Sequence, residues 1–344
     1  MLRYILKRIL QFIPVFLGVT LILFILQNVV PGDPIKLIAG ERKMDPQTEM
    51  NIRAAHGLIV TDENGDIVFD ENGDTIETPM VSRYFTYLGN LLQGDLGTSY
   101  QKGREVKDMI FEAYPYTVQI AVVAIIIEAI VGIGAGIISA IKRYSFWDIL
   151  VTLTTSALVA MPAFWLGLLL QLIFGIWLKD ATGGAFALPV SGVPGPHPQF
   201  PGWTYYILPA VTLAAVSTAY TARIMRSQLV EVMNQDYIRT AKAKGLSKRS
   251  IIFHHALKNA LIPVVTYIGM DFGAMLAGAI LTETVFNWPG VGQMTYVAIT
   301  QRDWPIVMGS ITVIVIVVMI INLIVDVSYA FLDPRIRLGN KSEK

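Results

Sequence analysis

The chain has 344 residues, of which 53% are hydrophobic and 15% charged, with a mean hydropathy of +0.53. That balance excludes a soluble globule of this length and points to an all-α polytopic membrane protein. The formal net charge is only +1, and the absence of cysteine excludes disulfides, thiolate catalysis and cysteine-based metal sites.

Six apolar runs reach the roughly 20 residues that a bilayer requires: 9–30, 115–141, 149–178, 204–226, 261–284 and 306–331. The first follows Arg3, Lys7 and Arg8 as a signal peptide would. It is too long, however, and no small-residue cleavage site precedes Pro31-Gly32, so residues 1–30 read as a retained anchor helix. Residues 31–113 are too polar for membrane and read as a small α+β extracytoplasmic insertion. Within it Asp62-Glu63-Asn64-Gly65-Asp66 recurs as 70–74, and Asn-Gly between short apolar stretches predicts a three-stranded meander with two tight turns. Clustered carboxylates leave a Ca²⁺ site open, although neither copy has the ligand spacing of an EF-hand loop.

Residues 114–333 form the membrane core, and 334–344 a tail. Gly132, Gly134 and Gly136 in the second span, and Gly269 and Gly273 in the fifth, suit close helix packing. Pro162 and Pro209 are expected to bend the third and fourth spans. The Gly- and Pro-rich segment 180–203 should be irregular. Four acids, Glu128, Asp271, Glu283 and Asp326, fall inside or at the edge of spans. A charge there costs about 2.5–3.5 kcal/mol on insertion scales, so each is expected to face a bundle interior, a water-filled path or a partner.

Between the fourth and fifth spans lies the basic segment 236–258. Tyr237 to Lys244 predicts a helix, Gly245 its left-handed stop, and Ser247 the cap of a second helix carrying Ile251, Ile252, Ala256 and Leu257. Pro263 is expected in the first turn of the next span. With the N-terminus inside, inner segments carry 17 Lys and Arg, against Lys179 and Arg302 in the two short outer loops. The positive-inside rule therefore puts both termini and segment 236–258 in the cytoplasm of a cell-membrane protein.

Tyr237-Ile238-Arg239-Thr240-Ala241-Lys242-Ala243-Lys244-Gly245-Leu246 resembles the cytoplasmic coupling loop of type I ABC importer permeases. Arg239 and Thr240 replace the Glu-Ala of the usual Glu-Ala-Ala pattern, a variant similar to that of the dipeptide/oligopeptide permease family. The resemblance extends to VVPGDP (29–34), GDLGTSY (94–100), AMPAFWLG (160–167), NALIPVVT (259–266), ETVFNWPGVG (283–292) and LDPRIRL (332–338). It implies a six-helix permease paired with a homologous second permease, two ATPase subunits on residues 237–246, and an extracytoplasmic binding protein delivering peptide. The four acids then become candidate lining of a substrate pathway, or hydrogen-bonding residues of the subunit interface.

No phosphate loop, HExxH or GxSxG occurs, so this chain reads as non-catalytic, with no cofactor of its own and ATP–Mg on the partner ATPases. Adjacent His254 and His255 project about 100° apart on a helix and read as interface residues. The basic patch beside two spans suits lipid or protein rather than nucleic acid. Two rival readings remain: the same machine importing nickel chelates or oligosaccharides, and a proton-coupled secondary transporter.

Overall fold

The structure is a computed structural model describing residues 2–29, 45–55, 57–62, 65–196 and 199–332. Most of VVPGDP and LDPRIRL, and Glu63 and Asn64 of the first acidic repeat, lie outside the described residues. Among the described residues, six helices are long and apolar enough to cross a membrane: Ile5–Val29, Val106–Ile141, Ala163–Thr182, Gly202–Val232, Lys248–Leu276 and Trp304–Ser328.

In chain order the helices are α1 (Leu2–Val29), α2 (Pro46–Ala55), α3 (Met80–Leu92), α4 (Val106–Ile127), α5 (Ile133–Ile141), α6 (Phe146–Ala160), α7 (Ala163–Leu172) and α8 (Leu178–Thr182). They continue as α9 (Ile207–Val232), α10 (Asp236–Ala243), α11 (Lys248–Ser250), α12 (Leu257–Leu276), α13 (Ile280–Val285), α14 (Val291–Gln301) and α15 (Trp304–Leu332). Single π-helical stretches, Glu128–Gly132, Ile173–Trp177 and Ile251–Ala256, join α4 to α5, α7 to α8 and α11 to α12.

The prolines act differently from expectation. The third run does not bend at Pro162; it breaks. Met161 is extended at φ −87 and ψ 133, the conformation a following proline imposes, and α6 and α7 are separate helices. Pro209 lies in the first turn of α9, where no intrahelical N–H is missed, so the cause of a bend expected there is absent. Pro263 is interior to α12 rather than in a first turn, because the helix already runs unbroken from Lys248.

Two compact units are present. The first takes in Ala113–Gln293 and the described parts of Met1–Leu10 and Ile314–Lys344. Its centre is α9, whose small residues Ala210, Ala214, Ala219 and Ala222 are buried. A Cβ on Gly132 would sit 2.8 Å from Thr221 Cγ2, and one on Gly136 2.6 Å from Met225 Cβ, so α5 approaches α9 at backbone range. Gly134 faces open space. Gly269 and Gly273 serve the same purpose on α12 against Val325 and Ile321 of α15.

The second unit takes in the described parts of Gln11–Glu112 and Met294–Val313. Within it Leu23, Phe24 and Met308 form a small buried cluster, with Tyr84 and Tyr87 packed against them. The insertion lacks continuous strands among its described residues; it has helices α2 and α3 and isolated bridges. Three short extended segments pair in the order of the expected meander, Thr61 with Ile67 and Phe69 with Thr75, and Ile59 with Glu77 additionally closes the first on the third. Val68 N–H donates to Val60 O (3.0 Å), Ile76 to Val68 (3.5 Å) and Val60 to Ile76 (2.8 Å), a cycle set by the eight-residue repeat. Its turn at Glu71-Asn72-Gly73 is a three-residue loop with Gly73 at φ +83, not the two-residue Asn-Gly turn. The Asp70 carboxylate accepts from the N–H groups of Asn72 (2.9 Å) and Asp74 (2.8 Å), capping its own turn.

Candidate coupling surface and the buried acids

Segment 236–258 is an elbow with two unlike faces. Helix α10 ends in paired terminal hydrogen bonds, Gly245 N–H to Lys242 O (3.0 Å) and Leu246 N–H to Ala241 O (3.3 Å). That pattern is the Schellman motif, which needs a left-handed residue after the cap; Gly245 has φ +78. The Ser247 hydroxyl then accepts from Ser250 N–H and starts the next helix.

The inner face is apolar and fully packed. Ile238 and Ala241 join Met225, Leu229, Ile251, Ala256, Ala260 and Val264 in one core, flanked by Ile133 and Ile137. The elbow is thereby anchored to the ends of α5, α9 and α12 together. Asn259 Nδ2 donates to the Tyr237 hydroxyl at 2.8 Å, pinning the rim. On the outer face Tyr237, Arg239, Thr240, Lys242, Ala243, Lys244, Gly245 and Leu246 are exposed, as are Lys248, Arg249, Phe253, His254, His255 and Lys258. A cationic surface with three exposed large apolar side chains, on a rigid base, suits docking of another protein.

The four intramembrane acids occupy different surroundings. Glu128 opens the first π-helical stretch and is wholly buried; its Oε1 accepts from Thr221 Oγ1 (2.6 Å), while Oε2 has no partner. Asp271 of α12 lies beside it, also with one oxygen unpartnered, and Tyr267 neighbours both. Glu283, equally buried, is saturated: Thr117 Oγ1 donates to Oε1 (2.7 Å) and Gln293 N–H to Oε2 (2.8 Å). Thr117 in turn accepts from Val291 N–H (2.9 Å), and a Cβ on Gly290 would fall 2.5 Å from the carboxylate. The motif ETVFNWPGVG is thus a loop wrapped around its own first side chain. Asp326 forms a half-exposed ion pair with Arg8 (3.2 Å). Only Glu128 and Asp271 are brought together.

Residues 132–338 match the family described as binding-protein-dependent transport system inner membrane component, and residues 1–121 match its N-terminal companion family. The chain belongs to this permease family. It is 37% identical to the di/tripeptide transport system permease protein DppB of Pseudomonas aeruginosa strain UCBPP-PA14, over 98% of this chain and 99% of that one. It is 34% identical to the dipeptide transport system permease protein DppB of Escherichia coli strain K12, with the same coverage. Against the glutathione transport system permease protein GsiC of Escherichia coli O6:H1 identity is 36%, again over 98% and 99%. A chain of the inward-facing MetNI methionine ABC transporter covers 65% of this permease and 96% of itself, with a TM-score of 0.50 and 15% identity, which shows a shared type I ABC importer fold.

Two further buried acids of the permease escaped the sequence. Asp148, in the first turn of α6, receives both arms of Arg226 at 2.8 Å, the hydroxyl of Ser139 and the N–H of Tyr144 (2.9 Å). The Arg226 hydrogen bonds, then that of Ser139, hold its carboxyl well below the ordinary value of 3.8. It stands one residue before the predicted third span and so was not among the intramembrane acids. Asp303 accepts from Ser99 Oγ (2.5 Å), Tyr100 N–H and Gln101 N–H (both 3.1 Å), which is the structural work of the GDLGTSY motif. The motif itself was the signal, but nothing in it names its partner.

Proposed function

We propose that this chain is a transmembrane subunit of an ATP-driven importer of di- and oligopeptides, lying in the cell membrane with both termini cytoplasmic. A homologous second permease completes the path, two ABC ATPases holding ATP and Mg²⁺ dock on residues 237–246, and an extracytoplasmic binding protein delivers the peptide. The chain itself carries no catalytic residue or cofactor. The observation carrying this reading is the elbow: its outer face is cationic and open, its inner face is welded to three membrane helices. Closure of the ATPases moves α10, and the shared core around Ile238 passes that movement to α5, α9 and α12.

Of the four acids, Glu128 and Asp271 are the proposed pathway residues, because each retains an unpartnered oxygen. Their negative potential suits the α-ammonium group of a peptide. Glu283 holds the outer loop and Asp326 the Arg8 pair. Relatives named for dipeptide, di/tripeptide and glutathione transport support short peptides over nickel chelates or oligosaccharides as cargo. Photocrosslinkers at Arg239, Lys242 and Leu246 should capture an ATP-hydrolysing subunit from native membranes. Capture of no such subunit from any of the three positions would overturn the reading.

A further inference from the structure

Helix α3 belongs by composition to the polar insertion, yet its packing is with the middle of a membrane span. At roughly 100° per residue the helix has three sides. Tyr84, Tyr87 and Leu91 share one, Val81, Phe85, Leu88 and Leu92 the next, and Ser82, Arg83, Thr86 and Asn90 the third.

The first side is fixed on α1. The Tyr84 hydroxyl donates to Leu17 O at 3.3 Å and lies 3.1 Å from Thr20 Oγ1. The rings of Tyr84 and Tyr87 stand 5.4 and 6.2 Å from that of Phe24. Leu17 is the midpoint of the apolar helix Ile5–Val29. At 1.5 Å per residue Phe24 lies about 10 Å beyond it, inside the roughly 15 Å half-thickness of a hydrocarbon core. The anchor points of α3 are therefore at the depth of acyl chains.

The second side is bare: Val81, Phe85 and Leu92 are 68%, 63% and 75% exposed, and no charge interrupts the stripe. The third side is polar and lines a cavity of about 610 Å³ together with Gln27, Thr61 and Tyr100. Burial pushes the Arg83 guanidinium below its ordinary value; a guanidinium keeps its charge in proteins, so that side needs water. With 13 residues, about 20 Å long, α3 cannot cross the bilayer.

We infer that α3 is a half-embedded helix whose Val81-Phe85-Leu88-Leu92 stripe lies in lipid acyl chains beside the C-terminal half of α1. Its Arg83 side stays in water. Lipid is the occupant because the anchored side fixes the depth and the stripe has the uncharged, amphipathic-helix character of interfacial segments. The inference does not depend on cargo, on ATP coupling or on which leaflet is outer.

The chain has no cysteine, so single nitroxide labels report one position each. Phe85→Cys, Leu92→Cys, Ser82→Cys and Asn90→Cys in the full-length protein, in the complex in which it purifies, are placed in lipid nanodiscs. Collision with oxygen should dominate over collision with a water-soluble nickel chelate at 85 and 92, and the ratio should reverse at 82 and 90. A water-like ratio at all four positions overturns the embedding. Low access to both reagents at 85 and 92 assigns the stripe to a protein neighbour and overturns the lipid occupant. Peptide uptake by the same variants tests the transport reading separately.

Discussion

Buried acids in this permease are distinguished by whether their oxygens are satisfied. Glu283 has a donor on each oxygen and glycine walls around it. Glu283→Gln keeps the shape but turns an NH₂ toward an N–H or hydroxyl donor, at a cost of about 1–3 kcal/mol. Hydrogen exchange of the amides of 288–293 should then rise about five-fold or more. Unchanged exchange would mean the loop is held by other contacts. Asp148 is the second saturated acid, and its side chain is 6% exposed against 32% for Arg226. Asp148→Ala leaves Arg226 without its partner and should destabilise the fold by about 2–3 kcal/mol, below the full range for buried pairs because Arg226 is partly solvated. The pH dependence has a definite sign. A carboxyl depressed on folding contributes stability that is complete above its ordinary value of 3.8 and lost as pH falls below it. The difference in thermal midpoint between wild type and Asp148→Asn should therefore shrink on acidification below about pH 4. A constant difference would mean the ionised form is not what stabilises.

At the level of elements, local chemistry decided the elbow. A helix former run, a glycine and a serine appear in the order that a Schellman stop and an N-cap demand, and the structure has both. Gly245→Leu forces a side chain into the left-handed region at about 1–2 kcal/mol. Gly245→Asn adopts that region readily. Leucine, and proline with its fixed negative φ, should uncouple ATP hydrolysis from uptake while insertion persists; asparagine should keep them coupled. Assaying both activities in proteoliposomes checks this, and normal coupling with leucine and proline would refute the elbow as a lever. Elements whose limits depend on neighbours were less legible. Pro162 reads equally well as a bend or a break, and Pro209 as a bend or a first-turn residue, until the helix start is known. The eight-residue repeat announced where the turns fall and that consecutive segments pair, but not the turn type or the closure of the first segment on the third, which depends on groups sixteen or more residues apart.

For the whole molecule, an ATP-driven importer and a proton-coupled carrier make opposite predictions. Uptake by reconstituted complexes should require internal ATP and survive an uncoupler; uptake that survives ATP depletion and collapses with the uncoupler would favour the carrier. The apolar runs, their number and the cationic elbow were readable from the chain, because the bilayer requirement and helix caps act on consecutive residues. Which acids meet was not readable. Glu128 and Asp271 are 143 positions apart and come together through glycine-mediated approach of α5 and α9 and the packing of α12. Asp148 finds Arg226, and α3 finds the middle of α1, in the same way. Composition placed α3 with the polar insertion, and an average over 31–113 does not reveal its apolar stripe. The sequence by itself determined class, spans and the elbow, all governed by local periodicity and solvent. Tertiary structure alone decided the pairings, because a buried polar group is stabilised by whichever partner the packed helices bring to it.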